Sequence, residues 1–345
     1  MFDDLINRAS QEISTVRAII KSNDILRGIL FVEENEIRKL LEDKTDLIDA
    51  VPSETEWQIY DHCAVVTRLY AIYERFVEDL ITDWLRVLPE IVSSYSQLSE
   101  KIQNTHREGI GRLLLDINKN RFQHLSVETV VQGLFSGITA TGKYELLPEA
   151  FLLHEQNLRK DILEKLFSDA GIENTWRWVI KHREIKYFVE EIRGNQNTPE
   201  GELKQLIDYR NEAAHGTIDE ILGTDELLNL GDFVEALCKA LAELVTYQVI
   251  QEKSKVGQIK EVGKITEWFK KPRAAVAKVK DISLTVGDNI FLVNEVSSCC
   301  KLAKIESIKI NDVSTDEAQI TSETEVGLKF DTDIKISKGF SLYKI

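Results

Sequence analysis

One stripe of apolar side chains constrains this chain more than any other feature. Between Glu56 and Leu88, Ile59, Cys63, Val66, Tyr70, Tyr73, Val77, Leu80 and Trp84 recur every three or four positions, which sets them along one face of a single long helix. Pro89 is the expected stop, because proline cannot continue the hydrogen-bond ladder. Glu74, in YAIYERF, sits just off the stripe, a place where a helix charge is ordinarily solvated.

The helical period runs through the first 250 residues. Leu5, Ile6, Ala9, Ile13, Val16 and Ile20 mark one amphipathic segment and Leu30, Ile37, Leu40 and Leu41 a second, both read as packing or dimerising helices. Shorter helices are expected near 106–118, 127–135, 148–169 and 175–193, with Gly171 and Gly194 as stops. A long last helix from Asp225 to about Lys253 carries Leu228, Phe233, Leu237, Leu241, Leu244 and Tyr247 and completes an all-helical unit over residues 1–250.

Residues 251–272 hold six lysines against three glutamates with little apolar order, and read as a lysine-rich linker. From Arg273 onward the pattern becomes short β-branched runs (VGDNIFLV, LAKIESIKIND, AQITSET, EVGLKF, GFSLYKI) separated by Gly-Asp, Asn-Asp, Thr-Asp and Lys-Gly turns. Short strands at such intervals predict a small all-β barrel or sandwich over 273–345. The expected class is therefore multidomain α + β, a helical bundle followed by a small β-barrel.

Composition narrows the chemistry. A formal charge of -15 opposes long-range attraction to polyanions, so any RNA binding must use a local basic patch. No apolar run approaches the roughly 20 residues of a spanning helix, and the acidic, amphipathic start MFDDLINRAS is unlike a signal peptide, so a cytoplasmic protein is expected. The four cysteines, Cys63, Cys238, Cys299 and Cys300, include no CxxC and offer no zinc half-site; neither metal nor cofactor is expected.

The stretch Leu203–Gly216, LKQLIDYRNEAAHG, carries the candidate chemistry. Thr198 as N-cap and Pro199 at the first helical position set a phase in which Leu203, Leu206, Ile207, Arg210 and Ala214 share a face. Arginine in an apolar row is either paired in a core or turned to a second chain or ligand. At roughly 100° per residue Arg210 and His215 stand roughly 140° apart, whereas Asn211 and His215 share a face. Aiming both at one atom needs a helix end at Gly216 or a symmetric second helix. A second arginine-to-histidine spacing, Arg177 to His182 in WRWVIKHRE, lies beside two tryptophans and with Lys181 and Arg183 reads as a solvated basic face or a stacking surface for RNA. GITATGK, Gly137–Lys143, has phosphate-loop spacing, but Tyr144 stands where a Mg²⁺-binding hydroxyl belongs, so a glycine-rich helix connection is favoured.

RNEAAH, with its polar Asn211 directly after Arg210 and the small Ala213 and Ala214, resembles the motif of HEPN nucleases, and more weakly residues 1–253 resemble the bacterial RiboL-PSP branch of that family. The resemblance implies a metal-independent endoribonuclease whose two motifs meet in a homodimeric cleft, with RNA, such as tRNA or ribosomal RNA, as substrate. It implies that His215 transfers the proton, that Arg210 holds the scissile phosphate, that Asn211 orients His215 or a phosphate oxygen, and that an upstream acid, here Glu74, supports them. A toxin or phage-defence role, with an antitoxin or regulatory partner, is also implied. Thr217, where the toxins silenced by nucleotidyl transfer carry tyrosine, departs from that control route. The alternative is a non-catalytic HEPN protein that binds RNA or protein. The C-terminal runs are similar to the second-domain barrel of translation GTPases, which implies a fold and, at most, a docking role.

Overall fold

The computed structural model describes residues 1–31, 50–216, 218–271, 273–332 and 334–344, so Ile37, Leu40 and Leu41 of the expected second segment lie outside the described residues. The chain forms two units, one of residues 1–82, 154–167 and 184–242, the other of residues 83–153, 168–183 and 243–345. No helix among the described residues is long and apolar enough to cross a membrane.

In the first unit α1 (Asp3–Phe31) buries Ala9, Ile13, Val16 and Ile20, four of the six positions of its sequence stripe. The next helix, α2 (Glu54–Ile91), opens on a capping box: Ser53 Oγ accepts from the Glu56 amide and Glu56 Oε2 accepts from the Ser53 amide, at 3.3 and 3.0 Å. Its stripe is the core of the unit, with Val66, Tyr73, Val77 and Leu80 wholly buried. Polar pairs fix the direction of packing: Arg8 meets Asp79 and Asn23 meets Asp61, so α1 and α2 run antiparallel. Contrary to the expected stop, Pro89 lies inside α2, which continues to Ile91. Standing in the last turn, it costs the helix little more than one hydrogen bond.

The unit also holds the start of α5 (Lys160–Asp169), most of α7 (Arg183–Tyr187) with the π turn Phe188–Ile192 that continues it, α8 (Pro199–His215) and the first part of α9 (Thr224–Lys255). Arg17 of α1 binds Glu235 of α9 at 2.7 Å, and Thr224 donates to Asp24 at 2.6 Å, again an antiparallel pairing. Glu202, fully buried at the start of α8, is answered by Arg193 through both carboxylate oxygens, at 2.8 and 2.9 Å, and by Asn197.

The helix expected over 148–169 is a correction. Only Pro148–Ala150, a single 3-10 turn, and α5 from Lys160 are helical, and residues 151–159 run as irregular chain. The expected helix over 175–193 is likewise broken into α6 (Thr175–Val179), α7 and the π turn.

In the second unit, α3 (Glu100–Asp116) and α4 (Val127–Thr139) pack through small residues: a Cβ at Gly109 would stand 2.0 Å from the Ala150 carbonyl oxygen, and one at Gly137 of α4 would stand 2.8 Å from the Tyr95 ring. GITATGK closes α4 instead of opening a helix, Ala140 taking the left-handed conformation, and Tyr144 is buried with its hydroxyl on the Val92 carbonyl at 2.7 Å. No phosphate cradle forms there. His106 is fully buried, its Nδ1 3.2 Å from the Tyr95 hydroxyl and its Nε2 accepting from the Leu147 amide. Burial lowers its pKa from 6.5 to about 4.

The C-terminal strands are β1 (Lys260–Phe269), β2 (Ala274–Val279), β3 (Ile282–Thr285), β4 (Asn289–Asn294), β5 (Cys299–Ile310), β6 (Val313–Thr315), β7 (Glu317–Ile320), β8 (Thr324–Asp331) and β9 (Ser341–Lys344). Antiparallel pairing runs β4-β9-β1-β2-β8-β5, and β5 returns to β4, closing a six-stranded barrel. Closure leaves no open edge among those six strands. Asn311 and Asp312, both at positive φ, make the two-residue turn between β5 and β6. The interior is filled by Ile265, Ala277, Leu284, Leu292, Ile305, Ile308, Leu328 and Leu342 among others.

Residues 251–272, expected as a linker, instead complete α9 and supply β1. The strand escaped notice because its register shifts between Glu261 and Gly263 and again between Ile265 and Glu267, so its inward residues Val262 and Ile265 fall three apart instead of two. Gly263 is required at that place, since a Cβ would lie 2.1 Å from the Lys278 carbonyl oxygen.

Two expectations follow from these packings. Gly263→Ala should destabilise the protein by roughly 2 kcal/mol in chemical denaturation, through forced displacement of β2. His106, with a folded pKa below its unfolded 6.5, contributes stability that is present above pH 6.5 and lost as the pH falls toward about 4. That loss is on the order of 3 kcal/mol, and in urea titrations from pH 7 to 4 His106→Gln should show a correspondingly flatter decline.

Candidate active site

Helix α8 forms as its sequence dictates. Thr198 Oγ1 accepts from the Gly201 amide at 3.1 Å, Pro199 occupies the first turn, Leu203, Leu206 and Ile207 are buried, and Gly216 ends the helix at φ 72. Arg210 continues the buried row only halfway. Its guanidinium lies over the Tyr70 ring, 5.1 Å from the centroid, and donates to Asn211 Oδ1 at 3.2 Å. Among the described residues it has no carboxylate partner. A half-buried arginine held by an aromatic face and an amide keeps its charge available to an incoming anion.

Tyr70 joins the other parts. Its hydroxyl donates to Glu74 Oε1 at 2.8 Å and accepts from the Leu158 amide at 3.1 Å, and burial, above all, holds the phenol well above its ordinary range. One turn on, Tyr73 donates to the Leu158 carbonyl at 3.0 Å, so both peptide groups of Leu158 are fastened to α2. The segment so held carries Asn157, whose Nδ2 donates to Asn211 Oδ1 at 2.9 Å, and His154, whose Nε2 lies 3.1 Å from Glu78 Oε1. The Glu78 hydrogen bond raises the His154 pKa above 6.5, outweighing burial.

Of the four residues singled out from sequence, three meet: Glu74, through Tyr70, with Arg210 and Asn211. His215 stands apart from them, exposed in the last helical turn before Gly216, with no hydrogen bond to Asn211 among the described residues. The Asn211 oxygen accepts from both Arg210 and Asn157. Thr217 lies outside the described residues.

The second basic cluster divides. His182 is fully buried against Glu243 at 3.4 Å, and Arg183 grips the same carboxylate with both terminal nitrogens, Nη1 at 2.9 Å and Nη2 at 2.5 Å. Burial alone would raise the Glu243 pKa, but His182 and Arg183 bring it down to about 2. These two residues, expected on an RNA-facing surface, instead satisfy a buried charge. Arg177 and Lys181 remain on the wall of a cavity within the second unit.

Sequence reasoning missed Tyr70 as the connecting group, although its spacing of four from Glu74 was legible, and missed His154 and Asn157 because their segment was read as helix. Among the described residues no three His, Cys, Asp or Glu side chains are grouped so as to hold a metal ion.

A family model described as RiboL-PSP-HEPN matches residues 30–247, which takes in α8 and its motif. Neither the curated proteins nor the solved structures compared with the chain give a match.

Tyr70→Phe removes one hydroxyl and strands two partners, the Leu158 amide and Glu74. The expected outcome is a loss of about 1–3 kcal/mol in chemical denaturation and faster exchange of the Leu158 amide by hydrogen exchange.

Proposed function

We propose, from the premise that the chain belongs to the RiboL-PSP-HEPN family, that it is a metal-independent endoribonuclease acting as a homodimer. Family membership by itself points to nuclease or other RNA-related activity. The observation that carries the finer reading is Arg210: a guanidinium that among the described residues has no carboxylate partner, fixed over Tyr70 and against Asn211, on the helix that ends in the exposed His215.

In this reading His215 takes the proton of a ribose 2′-hydroxyl. The 2′-oxygen bonds to the adjacent phosphorus, the bond from phosphorus to the 5′-oxygen breaks, and the His215 imidazolium of the second copy gives its proton to the leaving 5′-oxygen. The products are a 2′,3′-cyclic phosphate and a 5′-hydroxyl. Arg210 offsets the charge that gathers on the non-bridging oxygens, a role that a planar fork fills better than a point charge. Asn211 holds Arg210 in place, and Glu74 holds Tyr70 beneath it. Because Arg210 and His215 lie apart around one helix, a second copy of α8 would supply the complementary group, which is the reason for a dimeric cleft. Exposed Ile19, Ile25 and Leu26 on α1 offer apolar surface for association. A toxin or phage-defence role, with an antitoxin or regulatory partner, rests on the family resemblance alone.

The test is labelled single-stranded RNA incubated with the protein in excess EDTA. Cleavage leaving 2′,3′-cyclic phosphate ends is expected, and Arg210→Ala and His215→Ala should each lower the rate by on the order of 10² or more. Arg210→Lys should recover only part of it. Cleavage that requires Mg²⁺, or that survives in both alanine variants, would overturn the assignment and leave a non-catalytic RNA- or protein-binding HEPN protein.

A further inference from the structure

In the first unit the irregular chain from His154 to Leu158 is fastened at three points. Leu158 is held by Tyr70 and Tyr73, Asn157 reaches Asn211 of α8, and His154 meets Glu78, two turns along α2 from Tyr70. Only the last of these changes charge near neutral pH, since burial keeps both phenols well above their ordinary range.

His154 is enclosed by acceptors. Its Nε2 lies 3.1 Å from Glu78 Oε1 and its Nδ1 lies 3.3 Å from the Gln156 carbonyl oxygen, with the side chain 14 % exposed. A neutral imidazole has one N–H and can satisfy only one of these; the imidazolium, with two, satisfies both. The charged groups that act on the ring come from α2, Glu78 in contact and Glu74 one turn before it, and both favour the cation. From α8 the segment meets the uncharged Asn211, and Asp208, which Arg159 approaches at 3.8 Å.

The arrangement reaches Arg210. Arginine only donates, so Asn211 must turn its oxygen to the guanidinium and not its amide nitrogen. The Asn157 N–H bonds to that same oxygen at 2.9 Å and so selects this orientation of the amide. Asn157 stands three residues from His154 on a stretch with no helical ladder of its own.

We propose that His154 is a positioning residue of the candidate site: as a cation it clasps Glu78 and the Gln156 carbonyl and keeps Asn157 on Asn211, and on losing its proton it releases one of the two and with it the orientation of Arg210. The clasp is complete below pH 6.5 and weakens as the pH rises through the raised His154 midpoint. Its effect on rate, unlike the clasp itself, rests on the RNA-cleaving reading.

Two measurements on the full chain separate these. In an NMR titration with labelled histidine, asparagine and arginine, His154 should titrate above 6.5, and the Asn157 side-chain amide and the Arg210 Nε–H should shift with the same midpoint. Glu78→Gln keeps the acceptor and removes the charge, and should lower that midpoint by at least about half a pH unit. In RNA cleavage, the ratio of native to Glu78→Gln kcat should reach roughly threefold or more between the two midpoints and return toward one below both, a comparison in which the titration of His215 cancels. His154 titrating at or below 6.5, or Asn157 and Arg210 signals that do not follow it, overturns the clasp whether or not RNA is cleaved. Where RNA is cleaved, a ratio that does not vary with pH overturns the positioning role. Absence of cleavage by the native chain with the NMR midpoints shared strikes the RNA-cleaving reading and supports the clasp.

Discussion

A phenol buried in a helix core must find partners for its hydroxyl, and the arrangement of the candidate site depends on how Tyr70 finds them. Its oxygen gives a hydrogen to Glu74 and takes one from the Leu158 amide, while its ring supports Arg210. The first bond lies within α2; the second commits a distant irregular segment to the same place. Once Leu158 is fixed by Tyr70 and Tyr73, Asn157 has little choice but to meet Asn211, and Arg210 is confined between an aromatic face and an amide oxygen. Positioning of this kind is what electrostatic catalysis demands, because donors that are already oriented need no reorganisation when charge develops.

Other buried charges in the chain show what a purely structural arginine looks like. Arg193 covers both oxygens of the wholly buried Glu202, and Arg183 does the same for Glu243, whose carboxyl is thereby kept ionised in spite of burial. Each of those arginines answers a carboxylate that would otherwise be stranded. Arg210 answers none among the described residues. The contrast separates two uses of one residue type that the sequence presents alike, and it is why the cluster at residues 177–183 and the motif at 210–215 end in different places.

Much of the fold could be read from periodicity. The α2 stripe, the Thr198 cap, the proline after it and the glycine stop at 216 are local signals with local causes, and each appears in the structure. Where reading failed, the cause was a tertiary contact that outranked a local pattern. Residues 151–159 have apolar spacing that suits a helix, yet the Leu158 peptide is worth more to Tyr70 and Tyr73 than to a helical ladder. The first barrel strand hid behind two register shifts, which broke the alternation that marks a strand. His182 and Arg183 looked like a surface because their partner, Glu243, lies some sixty residues on in the sequence. The site was legible in its residues but not in its connections, since Tyr70, Asn157 and His154 declare themselves only through contacts over long sequence distances.

The cysteines carry a practical consequence. Cys238, Cys299 and Cys300 are buried and burial pushes their thiols up, that of Cys299 to about 12, so at neutral pH they offer almost no thiolate to an electrophile. Cys63 alone is only half-buried, although burial raises its thiol as well. The native chain therefore carries a nearly unique attachment point for a maleimide dye or nitroxide, on α2 seven residues before Tyr70. A spin label there would give distances between chains in any assembly the protein forms, without a single engineered cysteine.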